Sequence, residues 1–139
     1  MDIAECLKKG LLKQDEPSIA KAKRSLEIAQ AKLEKSKGLL PLNVLDMAEV
    51  NAYSAMFHAS RALLFKDGLK ERSHYALYVY LKEKYASKIE ARFLNELNLL
   101  RLERHEIFYG LEEQIFDRQA IMKMISLVEE FIRIINKMV

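Results

Sequence analysis

The chain has 139 residues, half of them apolar, with a net charge of only +3. That length supports one packed core, and a charge this small argues neither for nor against nucleic-acid contact. The single cysteine excludes an intrachain disulfide framework and fits a reducing compartment. Four glycines and two prolines are too few for a strand-and-turn architecture, so the expectation is all-α. The opening residues show no signal-peptide pattern, and no uncharged apolar run reaches membrane-span length, which predicts a cytoplasmic protein.

Residues 2–13 place Ile3, Leu7 and Leu11 at four-residue steps, a short N-terminal amphipathic helix that ends before Pro17. A second helix is predicted from Pro17-Ser18 to about Gly38. Its seam is Ile19, Ala22, Leu26, Ala29 and Leu33, and Gly38 and Pro41 terminate it. Asn43 suits the N-cap of a third helix, lined by Leu45, Ala48, Ala52, Met56, Ser60, Leu63 and Leu64 up to Gly68. Asp46 and Glu49 project to the same side.

Ser73 caps a fourth segment, His74 to about Tyr85. Tyr75 to Leu81 alone reads equally as a strand, but Lys82-Glu83-Lys84 continues a helix and no partner strand is foreseen. Its four tyrosines suit the rims of a helix interface or a stacking platform for bases. The fifth helix runs from about Ile89 to Tyr109 and stops at Gly110. Asp117 caps the last, whose seam is Ile121, Ile125, Val128, Ile132 and Ile135. The prediction is an up-and-down antiparallel bundle of four long helices plus shorter ones. It forms a single domain over 1–139, with a short helix in 1–14 and the bundle over 17–138.

Arg101 to Gly110 is the chemically richest stretch. Phe93, Leu97, Leu100, Ile107, Phe108 and Leu111 share one helical face, and Arg104 falls near its middle. A guanidinium there needs a partner or a cleft. Either Asp46 or Glu49 pairs with it, or the helix carries a site in which Arg101, His105 and Tyr109 follow at four-residue steps. No metal-ligand spacing, phosphate loop or nucleophile elbow is present, and no cofactor is expected. Arginine with histidine suits phosphodiester chemistry without metal, because RNA carries its own nucleophile in the 2′-hydroxyl.

Three blocks carry a resemblance: Tyr53-Ser54-Ala55-Met56-Phe57-His58-Ala59-Ser60-Arg61-Ala62-Leu63-Leu64, then Ser73-His74, then Leu100 through Gly110. They resemble the HEPN domain superfamily, and within it the UPF0332-like small stand-alone prokaryotic branch, over about residues 17–138. The resemblance implies a HEPN-like helical bundle that forms a homodimer. Active members cut RNA without metal in a cleft shared by two Arg…His motifs. Many are toxins paired with an antitoxin nucleotidyltransferase of the MNT type. Carried over by position, the catalytic set is Arg104, His105 and Tyr109, with Tyr109 where the motif histidine is expected. The surrounding binding set is Arg101, Glu49, Asp46 and His58. Two functions stay open: a metal-independent endoribonuclease, or a non-catalytic module that binds nucleotide, RNA or protein.

Overall fold

A computed structural model describes residues 1–139. It contains six helices: α1 (Ile3–Lys8), α2 (Ile19–Leu39), α3 (Leu45–Asp67), α4 (His74–Lys84), α5 (Ala91–Tyr109) and α6 (Arg118–Met138). Two short strands, β1 (Leu12–Gln14) and β2 (Leu69–Glu71), complete it. The expected all-α bundle is what the chain forms.

Helix α3 runs through the middle and touches α2, α4, α5 and α6. Its Ala48, Ala52, Ala55, Ala59 and Ala62 are all fully buried, as are Ala22 and Ala29 of α2. Small residues on facing surfaces let two helix backbones approach closely. Two serines of α2 use that proximity. Ser25 Oγ donates to the His58 carbonyl at 2.6 Å, and Ser36 Oγ donates to the Ala48 carbonyl at 2.6 Å. The α6 seam lies against the bundle as expected, with Ile121, Ile125, Val128, Ile132 and Ile135 all buried. Phe131 meets Phe93 of α5 at 5.7 Å between ring centroids.

The first correction falls at the N-terminus. The helix predicted over 2–13 stops at Lys8, because Gly10 adopts φ 73°. Leu11 N–H then donates to Cys6 O and Gly10 N–H to Leu7 O, the Schellman closure of a helix. The chain leaves it extended and pairs antiparallel with β2, Leu12 opposite Glu71 and Gln14 opposite Leu69. Gly68 sets up the partner strand in the same way: its φ of 83° ends α3 and turns the chain into β2. A Cβ there would lie 2.9 Å from the Asp15 carbonyl oxygen and 2.9 Å from Pro17.

Smaller corrections follow from local geometry. Gly38 lies inside α2. Ile19, at the exposed start of that helix, is 48% exposed. Asn43 is not an N-cap: it takes a left-handed φ of 59°, and its Oδ1 accepts from Arg118 Nη2 at 3.2 Å. Ser73 and Asp117 cap as expected, accepting from Ala76 N–H and Gln119 N–H. No helix is long and apolar enough to cross a membrane.

Candidate functional site

Buried residues of α5 are Phe93, Leu94, Leu97 and Leu100, and none lies beyond Leu100. The bundle stops supporting the helix there, so its last turns stand clear of the core. Arg104 therefore does not sit within a covered apolar stripe. Its guanidinium is half-exposed, lies 5.3 Å from the Phe108 ring, and forms no ion pair.

Neither expected carboxylate partner reaches it. Asp46 is exposed and accepts from the Met47 N–H at the start of α3. Glu49 is buried and faces Glu103 and Glu96 of α5 instead. Burial pushes its carboxyl up to about 8, reinforced by a hydrogen bond and the charge of Glu103. Glu96 is raised as well, first by burial and then by Glu103. Along α5, Glu96 and Glu103 thus turn inward toward Glu49 of α3, whereas Arg101 and Arg104 face α4 with Glu106 beside them.

On the α4 side the helix walls a cleft of about 420 Å³, lined by Ser73, His74 and Tyr75 with Arg101, Leu102, Arg104, His105 and Glu106. Arg101 donates to the Asn98 Oδ1 from Nε at 3.2 Å and from Nη2 at 2.9 Å, and its guanidinium lies 5.2 Å from the Tyr75 ring. A neutral amide and an aromatic face orient it without cancelling its charge. Depressions of similar size beside α2 and α6 contain no histidine, so they offer less chemistry.

His74 is the cleft residue that reading the sequence did not assign. Its Nδ1 lies 2.6 Å from the Tyr53 hydroxyl, and its ring stacks on Phe57 at 4.2 Å and 14°. Burial lowers its pKa, and Arg104 and Arg101 lower it further, so the ring is neutral at pH 7. Burial raises the Tyr53 phenol, which keeps its proton. With Nδ1 occupied by that phenol, Nε2 is the nitrogen left for other partners. The signal was present in the quoted blocks, Tyr53 with Phe57 and Ser73-His74, but the link spans two helices.

The remaining assigned residues separate. His105 lines the cleft, with its ring 5.0 Å from that of Tyr109. Tyr109 is 68% exposed and is not among the cleft-lining residues. His58 lies behind Phe57, edge-on at 5.5 Å, and burial followed by Arg61 pushes its pKa down to about 4. Its Nδ1 has no partner, and Arg61 beside it pairs with Glu71 of β2 at 2.8 Å. His58 is thus apart from the cleft, with Phe57 between it and His74.

The chain is thus an all-α bundle with a cleft in which His74 and His105 lie beside two guanidiniums that form no ion pair. Its family follows from comparison: the profile of the HEPN domain matches residues 22–138, and the chain belongs to that family. No curated protein matches it.

Proposed function

We propose that this HEPN protein binds RNA at the Arg101–Arg104 cleft and cleaves it without metal, as the toxin-type component of a pair with an MNT-type nucleotidyltransferase. The observation that carries this reading is the pair of guanidiniums, neither of them in an ion pair, beside His74 and His105 in a cleft whose one carboxylate is Glu106. Arginines placed so bind phosphate oxygens and stabilise their developing charge. In the reaction the 2′-oxygen of a ribose attacks the adjacent phosphorus and the 5′-oxygen leaves, giving a cyclic phosphate. A histidine nitrogen takes the 2′ proton, and a second proton donor supplies the leaving oxygen.

A homodimer belongs to this reading. Leu102 and Phe108 are each 49% exposed, and Leu111 and Ile115 are almost fully so, all at or beyond the unsupported end of α5. Covering them with a second copy would bring two clefts together. The test is incubation of the purified protein with tRNA or mRNA in the presence of EDTA, beside Arg104→Ala. Loss of cleavage by about 100-fold or more is expected of the variant, in line with removal of a charge-stabilising donor. Cleavage that survives the substitution removes Arg104 from the chemistry.

A second reading is favoured by Tyr109. Its exposed hydroxyl stands where the motif histidine is expected. In that reading the cleft binds nucleotide, RNA or protein without cutting, and Tyr109 accepts a nucleotidyl group from the partner enzyme. Its oxygen attacks the α-phosphorus of ATP and pyrophosphate leaves. Intact mass after incubation with the partner and ATP reads this out, and an unchanged mass rejects it.

A further inference from the structure

The four tyrosines of the α4 segment divide into two pairs. Tyr80 and Tyr85 are buried, and both hydroxyls donate to Asp67 Oδ2, at 2.7 Å and 2.5 Å. Tyr75 and Tyr78 lie on the outer side, Tyr75 37% exposed and Tyr78 half-buried, and neither hydroxyl has a hydrogen-bond partner. Core packing accounts for the first pair; of the second, Tyr78 rests one side on the core, and packing explains neither its free hydroxyl nor Tyr75.

Spacing of three and then four residues puts Tyr75, Tyr78 and Lys82 on one face of α4. Cations and rings alternate along it. Arg101 lies 5.2 Å from the Tyr75 ring, Tyr75 and Tyr78 are 6.2 Å apart, and Lys82 Nζ lies 5.7 Å from the Tyr78 ring. Surface hollows follow the same line. Tyr75 is shared between the catalytic-candidate cleft and a hollow of about 370 Å³. Tyr78 and Lys82 are shared between that hollow and an apolar one of about 220 Å³, floored by Ile89 and Leu94. The nearby acid, Glu83, is already engaged, accepting the Ile3 N–H at 2.9 Å.

We propose that this face of α4 is a single-stranded RNA track that leads into the Arg101–Arg104 cleft, with bases stacking on Tyr75 and Tyr78 and phosphates meeting Arg101 and Lys82. The inference rests on the RNA reading of the cleft and adds its substrate class. Rings with exposed faces accept any base, and cations at either end hold the backbone without reading sequence. At 1.5 Å per residue, α4 is about 16 Å long, enough for a few nucleotides. A duplex keeps its bases stacked on one another and gains nothing from the tyrosines, so the track selects unpaired RNA.

The experiment is fluorescence anisotropy with the full chain and a labelled, unstructured 12-nucleotide RNA, beside the same RNA in a duplex. Tyr78→Ala should weaken single-strand binding by about 5- to 100-fold, the range for losing one stacked base. Tyr78→Phe keeps the ring and should bind within about twofold of the unaltered chain. Lys82→Glu, at an exposed position that cannot unfold the bundle, should weaken binding and flatten its dependence on salt. Duplex binding should be the same in both Tyr78 variants and the unaltered chain. A melting curve for each variant confirms that it is folded. Unchanged single-strand affinity in both Tyr78→Ala and Lys82→Glu overturns the track. If Arg104→Ala alone abolishes binding, the cleft reading stands and the track falls. If the unaltered chain binds no RNA, both fall.

Discussion

Replacing Glu49 by glutamine should stabilise this protein at neutral pH, and the reason lies in three facing carboxyls. Glu49 of α3 is 8% exposed and meets Glu96 and Glu103 of α5 with no cation among them. Its pKa of about 8 in the folded chain stands against an ordinary 4.5. The folded state therefore holds a proton that the unfolded chain releases, and stability falls as pH rises from about 4.5 to about 8. At about 1.4 kcal/mol per tenfold of proton concentration, the cost at pH 7 approaches ~3 kcal/mol. Solvent beside half-exposed Glu103 screens part of it, leaving about 2 kcal/mol. Glutamine carries no charge at any pH, and its amide donates to Glu103 as the protonated acid does. Urea unfolding of the two proteins at pH 4.5, 7 and 8.5 measures the difference. The variant should gain about 2 kcal/mol at pH 7, with melting raised by about 6 °C, and almost nothing at pH 4.5. Stability curves that run parallel across this range would refute the reasoning.

Three further outcomes rest on single contacts. Asp67→Ala should cost about 3 kcal/mol in urea unfolding, because it leaves the buried hydroxyls of Tyr80 and Tyr85 without their shared acceptor; a loss under about 1 kcal/mol would mean water replaces the carboxylate. Gly68→Ala should cost about 2 kcal/mol or more, since the left-handed backbone and the 2.9 Å approach to the Asp15 carbonyl both resist a methyl group. An unchanged melting temperature would contradict that close approach. His58, pushed down to about 4, works in the sense opposite to Glu49. Its contribution is complete above its ordinary 6.5 and is lost as pH falls toward about 4, so the unaltered chain should lose about 2 kcal/mol between pH 6.5 and 4.5 that His58→Gln does not. Equal acid sensitivity in both proteins would exclude His58 as the source.

The bundle was legible because its seams are long. Ile121, Ile125, Val128, Ile132 and Ile135 repeat over most of α6, and every one of them is buried. The caps Ser73 and Asp117 were equally plain, since a side-chain oxygen satisfies a backbone N–H within three residues. The strand pair was not. Leu11 continues the four-residue steps of Ile3 and Leu7, and what breaks the helix is the left-handed Gly10, whose reward is pairing with a segment some sixty residues away. His74 was hidden for the same reason, because its ring is set by Tyr53 and Phe57 on another helix.

Arg104 shows why periodicity misleads at the end of a bundle. Ile107, Phe108 and Leu111 extend the apolar stripe of α5 in sequence, but no neighbouring helix covers Phe108 or Leu111, and Ile107 is only half-buried. A pattern along one helix carries no record of where its partners stop. Read as covered, the stripe called for a partner or a cleft at Arg104, with Asp46 or Glu49 as the candidate carboxylates. Because the stripe is open, water meets the cost of the charge, and Glu49 turns to Glu103 instead. That same exposure leaves the guanidiniums of Arg101 and Arg104 without an acid of their own, which is the electrostatic condition for holding a phosphate. The candidate site lies where the helix outruns its bundle, and the fold leaves both of its guanidiniums outside any ion pair.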